Sequence, residues 1–460
     1  MAIPFYAKSE TNQGYIKNME VIGYHDLNGV MAFQMALHKT KDDLYYLYCG
    51  SFKGAGITIL DVTDPSNPIF KDYFEVCDPE VYKKQSVPKI QIADNLMIVA
   101  LGGGIPYLHG VKWEDKNISG INIYSIKDPL HPELLSHWET GFDGGMGVHR
   151  FMYNGGPYLY LTSDCPGYIA EILRILDISD LKNPKEVGRF WKPEQYADGQ
   201  IAGTYPVGHM DEKNWPHLHG PAYVQDGLAY CGDFSGSGVI LDVKDVTHPK
   251  LLGEIRMRGP FSGKRAGARC HTFLPLKGRG LAVLTNEGDR FMSFNKESFD
   301  KEKDPVNGGR QPMNNLHMID VSDPTDPVLI AEFPYPEVPE DFPYRNFNDC
   351  GIGCQGPFGP HNVHEPMDKY GLESDPNRVY CCYFHAGMRV YDVSDEYYIK
   401  ELGYFIPPNP EKPLFDVPQN GPLLGTAEDC IVDDRGNIFM DTFHDGIYIL
   451  RLKEKCIEER

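Results

Sequence analysis

The sequence predicts an all-β fold, a ring of short four-stranded sheets. Three observations predict it. An acidic turn signature recurs along the chain, each time behind a short apolar strand. Each recurrence divides into four strand-length segments. Gly and Pro are abundant, 47 and 36 of 460 residues, and aromatic residues reach 12%, which suits many short strands joined by turns. Sheets repeated radially in this way make a β-propeller.

The signature reads first as Leu60-Asp61-Val62-Thr63-Asp64-Pro65, then as Ile123-Tyr124-Ser125-Ile126-Lys127-Asp128-Pro129. It returns as Leu176-Asp177-Ile178-Ser179-Asp180 and Leu241-Asp242-Val243-Lys244-Asp245. Ile319-Asp320-Val321-Ser322-Asp323-Pro324 and Tyr391-Asp392-Val393-Ser394-Asp395 follow. A seventh copy, Ile447-Tyr448-Ile449-Leu450-Arg451-Leu452, has the strand without the turn. The spacing exceeds the ~40–50 residues of regular propeller blades, so the excess is expected in loops.

In the sixth copy the inner strand is expected to begin at Asn362–Pro366, followed by Arg378–Phe384, Met388–Ser394 and the outer Tyr398–Phe405. The same reading puts the seven blades at 30–76, 88–139, 147–192, 217–257, 268–333, 360–406 and 426–452. The last copy lacks an outer strand. Residues 15–24, which resemble the sixth outer strand Tyr398–Tyr404, are expected to supply it. The expectation for 1–460 is therefore one seven-bladed propeller, closed by an N-terminal strand so that two exposed sheet edges disappear.

Strand polarity then predicts where chemistry sits. The outer-to-inner and second-to-third connections share one face, and they are the long ones. They include Gly102–Gly120, Lys192–Pro216, Gly259–Arg269, Glu287–Pro312, Pro334–Pro360 and Pro407–Gly425. Loops that long in a compact domain are commonly functional. The inner strands begin at the same face. Aligned, they place Gln34, Gln91, His149, His219, His271, His364 and Asp429 towards the central channel.

His149, His219, His271 and His364 in register are what a metal site looks like in sequence. Imidazole donors suit one divalent transition metal, Mn, Fe or Zn, with Cu as an alternative. Histidines that hydrogen-bond each other and water are the plainer account. His217 and His361 lie close to this row and are candidate substrate contacts or further ligands. His385 and His444 occupy matching places in blades six and seven and are candidate proton-transfer groups. Glu287, Asp289, Asp233 and Asp164 end second strands on the same face and are candidate bases or anchors for ligating histidines. Arg265, Arg290 and Arg345 lie on loops and are candidate contacts for an anionic substrate. Strand alternation turns Arg150 and Arg269 away from the channel. Cys350 and Cys354 form a lone C-x3-C pair, short of the four ligands of a structural zinc site.

The Asp-Val-Ser-Asp-Pro-x-x-Pro copies resemble the LVIVD-repeat family of propellers over nearly the whole chain, which implies the fold and little about activity. Phe384–Asp395 is also similar to a blade of the selenium-binding protein/methanethiol oxidase family. That family's N-terminal cysteine motif is not found here, so its chemistry is not carried over. Carotenoid-cleaving oxygenases, with four histidines on a seven-bladed propeller, are an architectural analogy only.

The net charge of −21 disfavours nucleic acid and anionic membranes as partners. No apolar run reaches the ~18 residues of a membrane span. The start lacks the pattern of a secretory signal. Eleven cysteines, an odd number scattered through strands, suit a reducing cytoplasm. The expected function is a metal-dependent lyase or hydrolase acting on a small oxygenated substrate, anionic ones included, with oligomerisation left open. The alternatives are a copper- or iron-dependent oxidase or oxygenase and a non-catalytic scaffold. A scaffold gives no reason for histidines in register.

Overall fold

In the computed structural model seven sheets follow one another around a ring. The structure describes residues 14–51, 54–82, 85–103, 117–141, 146–197, 216–257, 269–287, 314–342, 347, 358–367, 370–412, 414 and 424–453. Among them there is no α-helix, only two three-residue 3-10 turns. No described helix is long and apolar enough to cross a membrane.

The acidic signature builds the turns between third and outer strands. Its first Asp accepts the backbone N–H two residues on, as Asp61 does from Thr63 at 3.1 Å and Asp177 from Ser179 at 2.8 Å. Its second Asp repeats the bond, as Asp64 does from Ser66 at 3.0 Å and Asp245 from Thr247 at 3.0 Å. Two successive Asx turns reverse the chain compactly, which is why short acidic and hydroxyl residues recur there.

The core lies between blades. Alternate residues of each strand face the preceding and following sheet. Ile57 and Ile59 of blade 1 pack with Ile90 and Val99 of blade 2. Ile98 and Ile121 pack with Phe151 and Leu159 at the next joint, and the pattern continues to Leu37 of blade 1 against Phe439 and Ile449 of blade 7. The channel side chains are therefore separate from the blade-to-blade core.

Closure is shared between two blades. Met19–His25 pairs antiparallel with Ile447–Leu452 and completes blade 7. Tyr15–Lys17 pairs instead with the outer strand of blade 6, Lys400–Ile406. The expectation that 15–24 forms one blade-7 strand is corrected here. Asn18, at φ 52, breaks the strand between the two pairings, and its side chain donates to the Leu402 carbonyl at 2.8 Å.

The inner strands are irregular where they enter the channel. Register shifts fall at Ala32/Met35, Val148/Arg150 and Cys270/Phe273. In blade 4 the N–H groups of His219 and Gly220 both reach the Gly232 carbonyl. In blade 6 the inner strand shrinks to a bridge between Val363 and Cys381. A bulge puts two residues opposite one, so neighbours in sequence can face the same side.

Candidate metal centre

Blades 3 to 6 each send a histidine to one cluster. His149 comes from Val148–Met152, His219 from the entry to blade 4, His271 from Cys270–Leu276, and His361 from the entry to blade 6. Ring centroids are 4.3 Å apart for His149 and His219, 4.4 Å for His219 and His271, and 4.7 Å for His271 and His361. His217 joins at 5.7 Å from His219. His217, His219, His271 and His361 are all buried.

Carboxylates hold these rings. Glu171, fully buried, accepts from His149 Nδ1 at 2.8 Å and from His217 Nε2 at 2.9 Å. Burial works against its charge, but the imidazoles of His149 and His217 outweigh this and hold the carboxyl at about 2. His361 Nδ1 lies 2.6 Å from the Glu428 carbonyl, and its Nε2 lies 3.9 Å from Glu287. Asp233 accepts from the His217 backbone N–H at 2.9 Å. Asp164, the other second-strand aspartate, accepts from the Met146 N–H at 3.1 Å.

Two groups bring their ligand atoms within 4.8 Å of one another: His149, Glu171, His217 and His219, and then His219, His271 and Glu287. His219 belongs to both. Its Nδ1 and Nε2 are buried and have no hydrogen-bond partner among the described residues. Leaving a buried polar atom unpaired costs about 1–3 kcal/mol. Nδ1 of His149 is held by Glu171, and Nε2 makes no hydrogen bond to a described residue. A carboxylate behind a ring with the opposite nitrogen free is the usual outer arrangement of a ligating histidine. Burial lowers the His149 imidazole, and lowers His219 and His271 far below their ordinary range, so all three stay neutral at pH 7. Neutral imidazole is the form that binds metal. The donor set fits a divalent transition metal.

Aromatic rings wall the cluster. Phe234 stacks on His219 at 3.8 Å and 12°, with the Arg269 guanidinium 5.8 Å from the Phe234 ring. Phe384 stacks on His361 at 4.7 Å. Its φ of 50 is a left-handed conformation that a bulky residue adopts at a cost, and such strain concentrates at functional sites.

Several expectations for single residues change. His364 does not join the row. Its Nε2 lies 2.9 Å from the Glu373 carbonyl and its Nδ1 accepts the Val432 N–H at 3.2 Å, so it sits in the joint of blades 6 and 7. The irregular entry to blade 6 brings in His361 instead, three residues earlier. Arg150 does not turn away. The bulge after Val148 swings it into the channel, where it is 2% exposed. Its Nη1 lies 2.8 and 2.9 Å from the His271 ring nitrogens and 3.0 Å from Asn362 Oδ1. His385 Nε2 lies 3.1 Å from the Phe347 carbonyl, and His444 Nδ1 accepts the Leu414 N–H at 3.2 Å, so one nitrogen of each ring is engaged. Burial lowers His444 to about 4. Arg265, Arg290, Arg345, Asp289, Cys350 and Cys354 lie outside the described residues, as does part of each long loop.

Glu171 escaped the sequence reading, although a signal exists. It is the only acidic residue standing directly before a third strand; the other six blades have Ala55, Ser119, Gly236, Asn315, Gly387 and Gly446 there.

The LVIVD repeat family matches residues 45–76, 167–191, 223–256 and 312–333, within blades 1, 3, 4 and 5. The chain carries LVIVD repeats. No curated protein sequence matches it. Among solved structures, the WD40 repeats of RRP9 superpose with a TM-score of 0.50 at 10% identity, covering 94% of this chain and 97% of that one. The computationally designed protein Ika8 gives a TM-score of 0.45 at 8% identity, covering 93% and 98%. The likeness to the RRP9 repeats, at such identity, speaks for the propeller fold alone.

Proposed function

We propose that this propeller is a metal-dependent enzyme, a lyase or hydrolase of small oxygenated substrates, with one divalent transition metal held by His219 together with His149 and His217, whose ligand atoms lie within 4.8 Å of one another. One observation carries the reading: both nitrogens of His219 are buried without a partner among the described residues, in the middle of three other imidazoles. A scaffold would fill that place with apolar side chains at no such cost.

Bound there, a divalent metal would supply Lewis acidity towards a substrate oxygen or a water. Glu171 keeps the His149 ring aligned and His217 beside it. Glu287, near His219, His271 and His361, is placed to take or return a proton at its carboxylate. Phe234 and Phe384 exclude water from the rings they cover and lower the local dielectric.

Elemental analysis of protein purified without a polyhistidine tag tests the reading. The expected result is about one transition metal per chain, lost in His219→Ala. Full occupancy in a His219→Ala/His271→Ala protein would refute the site. With metal in place, bond cleavage in small hydroxy- and keto-acids without oxygen uptake is expected. Turnover that consumes dioxygen would make the chain an oxidoreductase instead.

A further inference from the structure

The bulge that turns Arg150 inward creates a second group of side chains beside the histidines. Arg150 Nη1 lies against His271 on one side and Asn362 Oδ1 on the other. Guanidinium nitrogens only donate, so this contact fixes which end of the Asn362 amide is oxygen. The other end, Nδ2, is then a donor. It is buried and has no partner among the described residues, and Asn362 as a whole is 1% exposed.

Arg150 is only partly engaged by its carboxylate neighbour. Glu365 receives the Tyr223 hydroxyl at 2.7 Å and Gln91 Nε2 at 2.6 Å, whereas Arg150 Nη2 stands 3.3 Å away. Glu365 thus shares its charge among three donors, and its ion pair with Arg150 is the longest of the three contacts. A buried guanidinium and a buried, unused amide N–H thus stand next to His271. The amide N–H lacks an oxygen acceptor among the described residues, the guanidinium keeps N–H donors beyond its bonds to Asn362 and Glu365, and a planar guanidinium matches a carboxylate better than a point charge does.

The geometry points to Arg150 and Asn362 as the receptor for a carboxylate group of the substrate, held next to the histidine cluster. This deepens the enzyme reading, on which it rests for the identity of the ligand as substrate. It narrows the substrates to carboxylic acids whose reacting oxygen lies close to the carboxylate, because His271 touches the same guanidinium.

Formate labelled with carbon-13 is the probe, and its binding to the full-length protein is followed by NMR line broadening. Saturable binding is expected for the wild type. Asn362→Asp keeps the shape and the acceptor for Arg150 but replaces the unused donor with a repelling oxygen. Formate affinity should fall at least about 10-fold, the loss expected for a hydrogen bond to a charged group, with metal content unchanged. Asn362→Ala removes the donor without adding charge and should weaken formate in the same direction if the Asp variant folds poorly. Unchanged affinity in the variants, or no saturable binding to the wild type, overturns the assignment. The same titration on metal-stripped protein keeps the two ideas apart. Loss of formate binding in the variants there supports the receptor even if elemental analysis finds no metal, whereas a metal-bearing protein indifferent to Asn362 leaves the metal centre standing and removes the receptor.

Discussion

Glu171→Gln is the sharpest perturbation of the proposed centre. The replacement has the same shape, so it opens no cavity. It changes what the rings meet. As a carboxylate, Glu171 accepts from His149 Nδ1 at 2.8 Å and His217 Nε2 at 2.9 Å. An amide offers one acceptor and one donor, so one of the two rings must turn or change tautomer. His149 would then present its Nε2 less often, and with less electron density, since a neutral amide polarises the ring less than a carboxylate. Loss of such an outer partner costs about 10–100-fold in metal affinity, or about 1.4–2.8 kcal/mol. The assay is competition for zinc against a chromophoric chelator, wild type beside variant. The fold is checked by circular dichroism, which should not change. Affinity within about two-fold of wild type would mean that Glu171 orders the rings without serving a metal, and the chain of argument from Glu171 through His149 fails.

Four further outcomes follow from the same structure. His219→Ala should deplete metal while leaving the melting temperature of metal-free protein unchanged or raised, since it removes two unpaired polar atoms; elemental analysis and calorimetry read both. The metal-free protein should lose stability as pH falls below about 6.5, because His149, His219 and His271 have lowered folded values and the unfolded chain takes up protons first. Each contributes up to about 1.4 kcal/mol per pH unit, and melting temperatures flat between pH 7 and 5 would contradict neutral burial. Deleting the chain through residue 25 strips blade 7 of Met19–His25, and the product should be insoluble or melt clearly lower; a full-length melting temperature would refute closure. Gly188→Ala sets a methyl carbon 1.9 Å from the Val246 carbonyl oxygen, so it should destabilise by about 1–3 kcal/mol in a denaturant titration.

The ring was legible because its signals are local. Asp177, Ser179 and Asp180 carry their turn chemistry within a few residues, and strand alternation has a period of two. The histidine row was legible in part for the same reason, since His149, His219 and His271 each open an inner strand. His364 and Arg150 show where that logic ends. Alternation assumes a regular strand, and the inner strands bulge where they enter the channel, so facing flips within one or two residues. Glu171 was hidden differently. It belongs to a third strand's leading edge, and only the closeness of blades 3 and 4 turns it into the partner of two histidines.

The straddling of blades 6 and 7 by residues 15–25 has a consequence for how the molecule comes into being. A ribosome delivers Tyr15 and Met19 long before their partners Ile406 and Leu452. Blades 1 to 5 can condense from contacts within themselves and their neighbours, but the first strand must wait. Until the last blade emerges, two apolar edges stay open and the partly built ring is exposed to mispairing with other chains. Ring closure is the contact of greatest sequence separation, and such contacts are the slow ones. Tyr15–Lys17 gives the waiting segment a foothold on blade 6 as soon as Lys400–Ile406 is made, so Met19–His25 is already held beside the gap when Ile447–Leu452 arrives. Refolding should therefore show a late phase that loss of the Tyr15–Lys17 pairing slows, while the finished ring stays almost as stable as before.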